Sequence, residues 1–244
     1  MENILQVVQA YFEKPMKNTP FYYSDARLVE VQDGELQYQS LCDSQPLGSS
    51  WELLLLDQIS SQLCYAHVGY AKDSGYCHEI LSFLRLGSGW KLVSILRAPV
   101  SSRYSSICSE PLQESSFMKA IGQILLTYCD AVYNLDADQA LSVFTEQAHM
   151  LHPIDTVHFA DVSCEVFRER WAGCPHPTTL GIAQYAHIYH IELLNQHTAI
   201  AKVGVAKLND HFNDYLYCVN TGDGWKIAHK LTQSVWVQEM NDRR

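Results

Sequence analysis

The sequence predicts an α+β protein made of two tandem copies of one unit, a leading helix followed by a long antiparallel meander, with the first copy reduced. Three observations carry that expectation. TGDGWKIAHKL (Thr221–Leu231) repeats LGSGWKLVSIL (Leu86–Leu96) at an offset of 135 residues, and this register holds without a gap from Trp51–Leu96 onto Ala186–Leu231. AHVGYAK (Ala66–Lys72) falls on AKVGVAK (Ala201–Lys207) at the same offset. Upstream of each block, apolar residues recur at helical spacing. A period this long excludes a solenoid of short repeats.

In the first copy, Ile4, Val8 and Tyr11 mark the helix, and Pro15 and Pro20 argue against a full second one. A short strand holds DARL (Asp25–Leu28), and Ser40–Ser50 reads as loop before the meander. The Ser-rich, Pro-bounded stretch from Pro99 to Gln113 reads as a linker. The expected domains are therefore 1–98 (reduced), a linker at 99–113, and 114–244 (full).

In the second copy, Ile121, Leu125, Tyr128 and Val132 mark the helix, at an offset of 117 from the first. The offset becomes 122 at the short strand, where QAHM (Gln147–Met150) matches DARL, and 135 at the meander. Two insertions, of 5 and 13 residues, follow from those shifts. The first falls in DADQALSVF, a short helix capped by Asp136 or Asp138. The second falls around DVSCEVFRERW, where Val162, Val166 and Phe167 suggest another helix. The four meander strands are expected near residues 183–194, 197–207, 211–220 and 224–234, between Asn, Asp and Gly turn signals. Gly69 and Gly204 sit inside strands, where a bulge or sharp bend is the ordinary explanation.

Composition narrows function by exclusion. With 47% hydrophobic and 18% charged residues, each half can bury a core. A net charge of −10 without a Lys/Arg run argues against a nucleic-acid surface. No apolar run is long enough for a membrane span, and MENILQVVQAYFEKP reads as a helix rather than a signal peptide. Eight irregularly spaced cysteines without a CxxC read as reduced and mostly buried, which implies a cytoplasmic location.

The order of a long helix, short helices, a short strand and a meander ending in GxGWKI resembles the NTF2-like superfamily. Within it, the second half is similar to the SnoaL-like and "putative lumazine-binding" group. Tyr128, the Asn134–Asp136 turn, Phe144, Ala148, AIAKVGV (Ala199–Val205), NDYLYCV (Asn213–Val219) and GDGWKIAHK (Gly222–Lys230) carry that resemblance. It implies a cone in which a curved sheet wraps helices around an apolar pocket, with the outer sheet face often pairing. Here that pairing is expected within one chain, as a pseudo-dimer of the two copies. Members include isomerases, cyclases, dehydratases and non-catalytic scaffolds, so fold alone does not set function. Relatives often carry a His-Pro-Asp-like run before the short strand, and Thr145-Glu146-Gln147 stands there in this chain.

Nine of eleven histidines lie in the second copy. With Gly222-Asp223 as a two-residue hairpin loop, Leu216 is expected to face His229 and Asp214 to face Leu231. Asp214 and His229 then share an apolar inner face with Trp225 and Ile227, as an acid–base pair or, more economically, as a structural hydrogen bond. In the first copy Glu79 and Ser94 hold those two places. His152 on the short strand, Tyr128 on the helix, and Phe167 and Trp171 on the covering helix complete the expected ligand site. Helical His-x-x-x-His spacing and Gly-rich phosphate loops are absent, so no metal or cofactor is expected. The reading is a binder of a small apolar or aromatic molecule, or an interaction scaffold, built on the second copy. The alternative is a SnoaL-like enzyme using Asp214 and His229 for proton transfer.

Overall fold

The computed structural model describes residues 4–13, 22–32, 34–41, 50–58, 60–72, 75–87, 89–101, 111–155, 158–208 and 210–235, with backbone only for 111–115. The chain divides into two compact units, Met1–Ser109 with Pro153–His158, and Glu110–His152 with Phe159–Arg244. The first unit runs α1 (Ile4–Glu13), β1 (Tyr22–Gln32), β2 (Glu35–Ser40), β3 (Trp51–Gln58), β4 (Leu63–Lys72), β5 (Gly75–Leu86) and β6 (Gly89–Val100). The second begins with α2 (Pro111–Asn134), α3 (Ala137–Ser142), β7 (Phe144–Pro153), β8 (Phe159–Ser163) and α4 (Cys164–Trp171). A 3₁₀ turn (Pro177–Leu180) precedes its meander of β9 (Ala186–Asn195), β10 (Thr198–Lys207), β11 (Asp210–Asn220) and β12 (Trp225–Val235).

Each unit has one six-stranded sheet, in the orders β2-β1-β6-β5-β4-β3 and β8-β7-β12-β11-β10-β9. β1 runs parallel to β6 and β7 parallel to β12, while the meander pairs are antiparallel. The duplication is visible bond by bond. Val68↔Glu79 becomes Val203↔Asp214, Glu79↔Arg97 becomes Asp214↔Thr232, and Leu28↔Ile95 becomes Met150↔Lys230. These pairs preserve the offsets of 135 in the meander and 122 in the short strand. The structure thus has the expected class: α+β, two tandem cone-type units, the first reduced to one helix among the described residues.

The helix stripe lies where its periodicity puts it. Ile121, Leu125, Tyr128 and Val132 are buried against the sheet, while Leu126, one residue off the stripe, is 52% exposed. α2 closes through paired bonds, from Asp136 N–H to the Ala131 carbonyl and from Leu135 N–H to the Val132 carbonyl, with Leu135 at φ 55°. Asp136 then caps α3 by accepting from Gln139 N–H at 2.8 Å. Ser163 caps α4, the helix expected in the larger insertion.

Several expectations need correction. A sixth strand stands at the edge beside the short strand in both units, β2 and β8, and Val162 lies on β8 rather than on a helix. Pro99 and Val100 finish β6 and Pro111–Gln113 begin α2, so the linker is shorter than expected, and 102–110 lie outside the described residues. Most of the Ser40–Ser50 loop also lies outside them. Gly69 and Gly204 are themselves paired on both sides, with a bulge close by on the neighbouring edge strand, at Leu54 of β3 and Tyr189 of β9. Each is glycine because a tyrosine lies across it: the Tyr189 hydroxyl would stand 2.7 Å from a Cβ at 204, and Tyr76 crosses residue 69 in the same way.

The largest correction is a β-bulge. Cys218 pairs with Ile227, but Tyr217 pairs with His229, which leaves Ala228 as an extra residue on β12. The first unit has the same irregularity at Val93, between Phe83↔Leu92 and Ser82↔Ser94. Beyond the bulge the two-residue alternation changes face. Leu216 is therefore opposite Lys230, and Asp214 opposite Thr232.

The helix face makes a direct prediction. Leu125→Ala should lower the unfolding free energy by about 2–5 kcal/mol, and Leu126→Ala should change it by less than about 0.5 kcal/mol. Urea unfolding of both variants checks this, and equal effects would contradict the stripe.

Candidate functional site

The floor of the site is set by strand alternation. Phe212, Asp214, Leu216 and Cys218 face inward from β11, and the bulge turns Lys230 and Thr232 to the same side of β12. Asp214 is 1% exposed. A carboxylate so placed requires donors, because burial without them is strongly unfavourable. Tyr128, from the buried stripe of α2, donates to its Oδ2 at 2.6 Å. Lys230 Nζ lies 3.7 Å from the same oxygen. Asp214 Oδ1 has no hydrogen-bond partner among the described residues.

These groups border a cavity of about 180 Å³ that lies within the second unit. Its apolar wall comes from Met150, Val162, Phe167, Trp171, Val205 and Phe212. Phe167 and Trp171 of α4 pack ring against ring at 4.3 Å, so the covering helix presents an aromatic lid surface. His152 stands edge-on to Phe212 at 6.2 Å, and Lys207 and Arg170 complete the lining. Lys207 Nζ sits 5.7 Å from the Trp171 ring, and Lys230 Nζ 5.8 Å from both the Tyr128 and Phe167 rings.

Burial dominates the electrostatics. It pushes the Lys230 ammonium below the usual lysine range, with Asp214 acting in the opposite direction and Lys207 adding to the effect. It lowers His152 as well, helped by the Lys230 charge. The Tyr128 hydroxyl is raised by burial and then by the negative charge of Asp214, which keeps it a donor.

Of the residues singled out in the sequence, Tyr128, His152, Phe167, Trp171 and Asp214 line this cavity. His229 does not. It lies on the opposite face of β12, its ring 5.1 Å from that of Tyr217 and its backbone opposite His149. The expected Asp214–His229 pairing is thus corrected by the bulge at Ala228, which places Lys230 beside the carboxylate instead. Lys230, Lys207 and Arg170 had not been singled out. Leu231 concealed the change of face, because it is buried although it lies opposite the cavity, so apolar alternation ran on through the bulge. Among the described residues no group of three or more His, Cys, Asp or Glu could hold a metal ion.

The first unit shows the same floor in closed form. Tyr11 donates to Glu79 Oε2 at 2.8 Å, as Tyr128 does to Asp214. Glu79 Oε1 receives Tyr70 at 2.7 Å and Arg97 Nε at 2.6 Å. Tyr70 and Arg97 correspond by register to Val205 and Thr232, two residues that line the cavity of the second unit. Both Glu79 oxygens are satisfied, whereas one oxygen of Asp214 is not.

Residues 116–233, slightly less than half of the chain, match the model of a family described as putative lumazine-binding. No curated protein matches the chain. Among solved structures, an NTF2-like protein of unknown function from Shewanella baltica OS155 is 17% identical, covers 53% of this chain and 99% of its own, and has a TM-score of 0.45. An NTF-2 like protein of unknown function from Silicibacter pomeroyi DSS-3 is 16% identical, with 50% and 98% covered and a TM-score of 0.43. A putative scytalone dehydratase from Novosphingobium aromaticivorans DSM 12444 is 10% identical, with 52% and 89% covered and a TM-score of 0.39. Architecture and family match together describe two tandem α+β units of one topology, the second of which matches the putative lumazine-binding family model. Among the described residues no helix is long and apolar enough to cross a membrane.

The buried ammonium sets a pH dependence. With its folded pKa below the ordinary 10.5, Lys230 binds fewer protons in the folded than in the unfolded chain as that value is approached from below. Stability must then rise with pH in that window. The wild type should gain on Lys230→Met as pH rises toward 10.5, by at most about 1.4 kcal/mol per pH unit. Urea unfolding of both proteins across that range tests this, and a falling difference would show that burial does not control the group.

Proposed function

We propose that the second unit binds a small, mainly apolar or aromatic molecule in the cavity above Asp214, and that the first unit is its closed structural counterpart. One observation carries this reading. The positions that fill the first unit with Tyr70 and Arg97 are Val205 and Thr232 in the second, and the space they leave is bordered by a carboxylate oxygen without a partner. A cavity of this kind, apolar with a few convergent polar groups, is what small-ligand sites usually offer. The description of the matching family fits a flat ligand.

A second reading is favoured by the same unpartnered oxygen. A SnoaL-like enzyme of isomerase, cyclase or dehydratase type could use Asp214 for proton transfer, with His152 rather than His229 as the imidazole on the cavity wall. Asp214→Asn separates the two readings: a binder changes affinity alone, whereas an enzyme loses turnover.

We also infer that the two sheets pair within one chain as a pseudo-dimer, on the strength of the duplication and the pairing habit that the resemblance implies. Light scattering should then find the full chain monomeric. A cytoplasmic location belongs to the same reading, supported by Cys64, Cys77, Cys129, Cys164, Cys174 and Cys218 standing free.

The cavity assignment is tested by closing it as the first unit is closed. In a thermal-shift screen, a ligand at 100 times its Kd should add about 2.7 kcal/mol of stability to the wild type. Val205→Tyr with Thr232→Arg should abolish that shift while the variant stays folded by circular dichroism. A ligand that stabilises both proteins equally binds elsewhere, and the reading fails.

A further inference from the structure

We propose that the cavity selects a flat aromatic or heteroaromatic acid that also carries an O–H or N–H donor. The inference rests on the ligand-binding reading above and names the chemistry of its ligand.

The donor follows from Asp214. Its Oδ1 is buried and lacks a hydrogen-bond partner among the described residues, while Oδ2 is held by Tyr128. A buried acceptor left open is unfavourable, because its desolvation is not repaid. A ligand that donates to Oδ1 recovers that loss, and one without a donor does not. Copying the first unit would meet the need internally, since Tyr70 and Arg97 do so for Glu79.

The negative charge follows from the rest of the wall. The chain carries 27 acidic and 17 basic side chains, yet the cavity is lined by Lys230, Lys207 and Arg170 against the single carboxylate of Asp214. Lys230 is offset by Asp214 at 3.7 Å. Lys207 and Arg170 have no carboxylate partner among the described residues, so a local positive excess remains in an acidic protein. An anionic group on the ligand neutralises it, and a cationic ligand is repelled. The flat shape follows from the aromatic wall, where Phe167, Trp171 and Phe212 offer ring faces and edges.

Isothermal titration with three single-ring probes tests this. 4-Hydroxybenzoate has ring, donor and negative charge; 4-hydroxybenzamide loses the charge; 4-methoxybenzoate loses the donor. On the wild type, 4-hydroxybenzoate should bind about tenfold or more tightly than either of the others, the usual effect of one charge-assisted hydrogen bond. Lys207→Gln with Arg170→Gln changes only residues at least partly exposed, so folding is preserved. It should remove the advantage over the amide and leave the advantage over the methyl ether. Asp214→Asn should do the reverse.

If the amide or the ether binds the wild type as well as 4-hydroxybenzoate does, and Val205→Tyr with Thr232→Arg blocks them all, the proposed selectivity is wrong and the ligand-binding reading stands. If none of the three binds, or the plugged variant binds them unchanged, the cavity is not their site and both inferences fall.

Discussion

A tyrosine on the leading helix, donating to a carboxylate buried in the sheet floor, fixes the helix–sheet relationship in both units. Neither partner tolerates the interior alone: the carboxylate needs donors in a low-dielectric setting, and a buried hydroxyl needs an acceptor. Tyr128–Asp214 and Tyr11–Glu79 therefore lock one turn of the helix over one rung of the ladder. Hydrophobic burial along the helix stripe supplies most of the attraction but is non-directional. The polar contact supplies the register. It also decides where unused hydrogen-bonding capacity is left, since a carboxylate accepts more bonds than one tyrosine gives.

The bulge at Ala228 controls which side chains share that space. One extra residue turns His229 outward and Lys230 inward, so the carboxylate meets an ammonium and not an imidazole. The same bulge at Val93 places Ile95 at the position of Lys230 and Arg97 at that of Thr232. The cation has thus moved two residues along the strand between the copies, without leaving the inner face. In the first unit it reaches Glu79 directly, and Tyr70 donates to the same carboxylate oxygen. In the second it stands one rung away, with space before it.

Much of this arrangement was legible in the sequence, for definite reasons. The duplication survived in spaced glycines and the Trp-Lys turn, whose backbone demands few other residues meet, and its offsets reproduce the ladder register. Ile121, Leu125, Tyr128 and Val132 declared the helix face through periodicity alone. Tyr128, Asp214, His152, Phe167 and Trp171 were placed near one another by topology. The bulge was not legible. Ala228 carries no mark that distinguishes an extra residue from a paired one, and burial on both faces of β12 keeps the apolar pattern intact across the slip. The edge strands β2 and β8 were missed because ELQYQS and FADVS are short and half-polar. Arg170 and Lys207 were missed because a cationic rim arises from residues on separate elements, which no local window brings together.

The contrast between the units bears on why the second leaves Asp214 incompletely bonded. Were its carboxylate only a structural clasp for Tyr128, the arrangement of the first unit would serve it better, since both Glu79 oxygens are used there. The inward positions that differ are Val205 for Tyr70, Thr232 for Arg97, Asp214 for Glu79 and Lys230 for Ile95, and the backbone accepts the first unit's set at the equivalent places. An open acceptor and an unfilled space each lower stability, in a protein class whose margin is only about 5–15 kcal/mol. Packing therefore does not explain the open form. On the proposed reading, a molecule that fills the space and donates to Oδ1 supplies to Asp214 what Tyr70 and Arg97 provide permanently to Glu79 in the first unit.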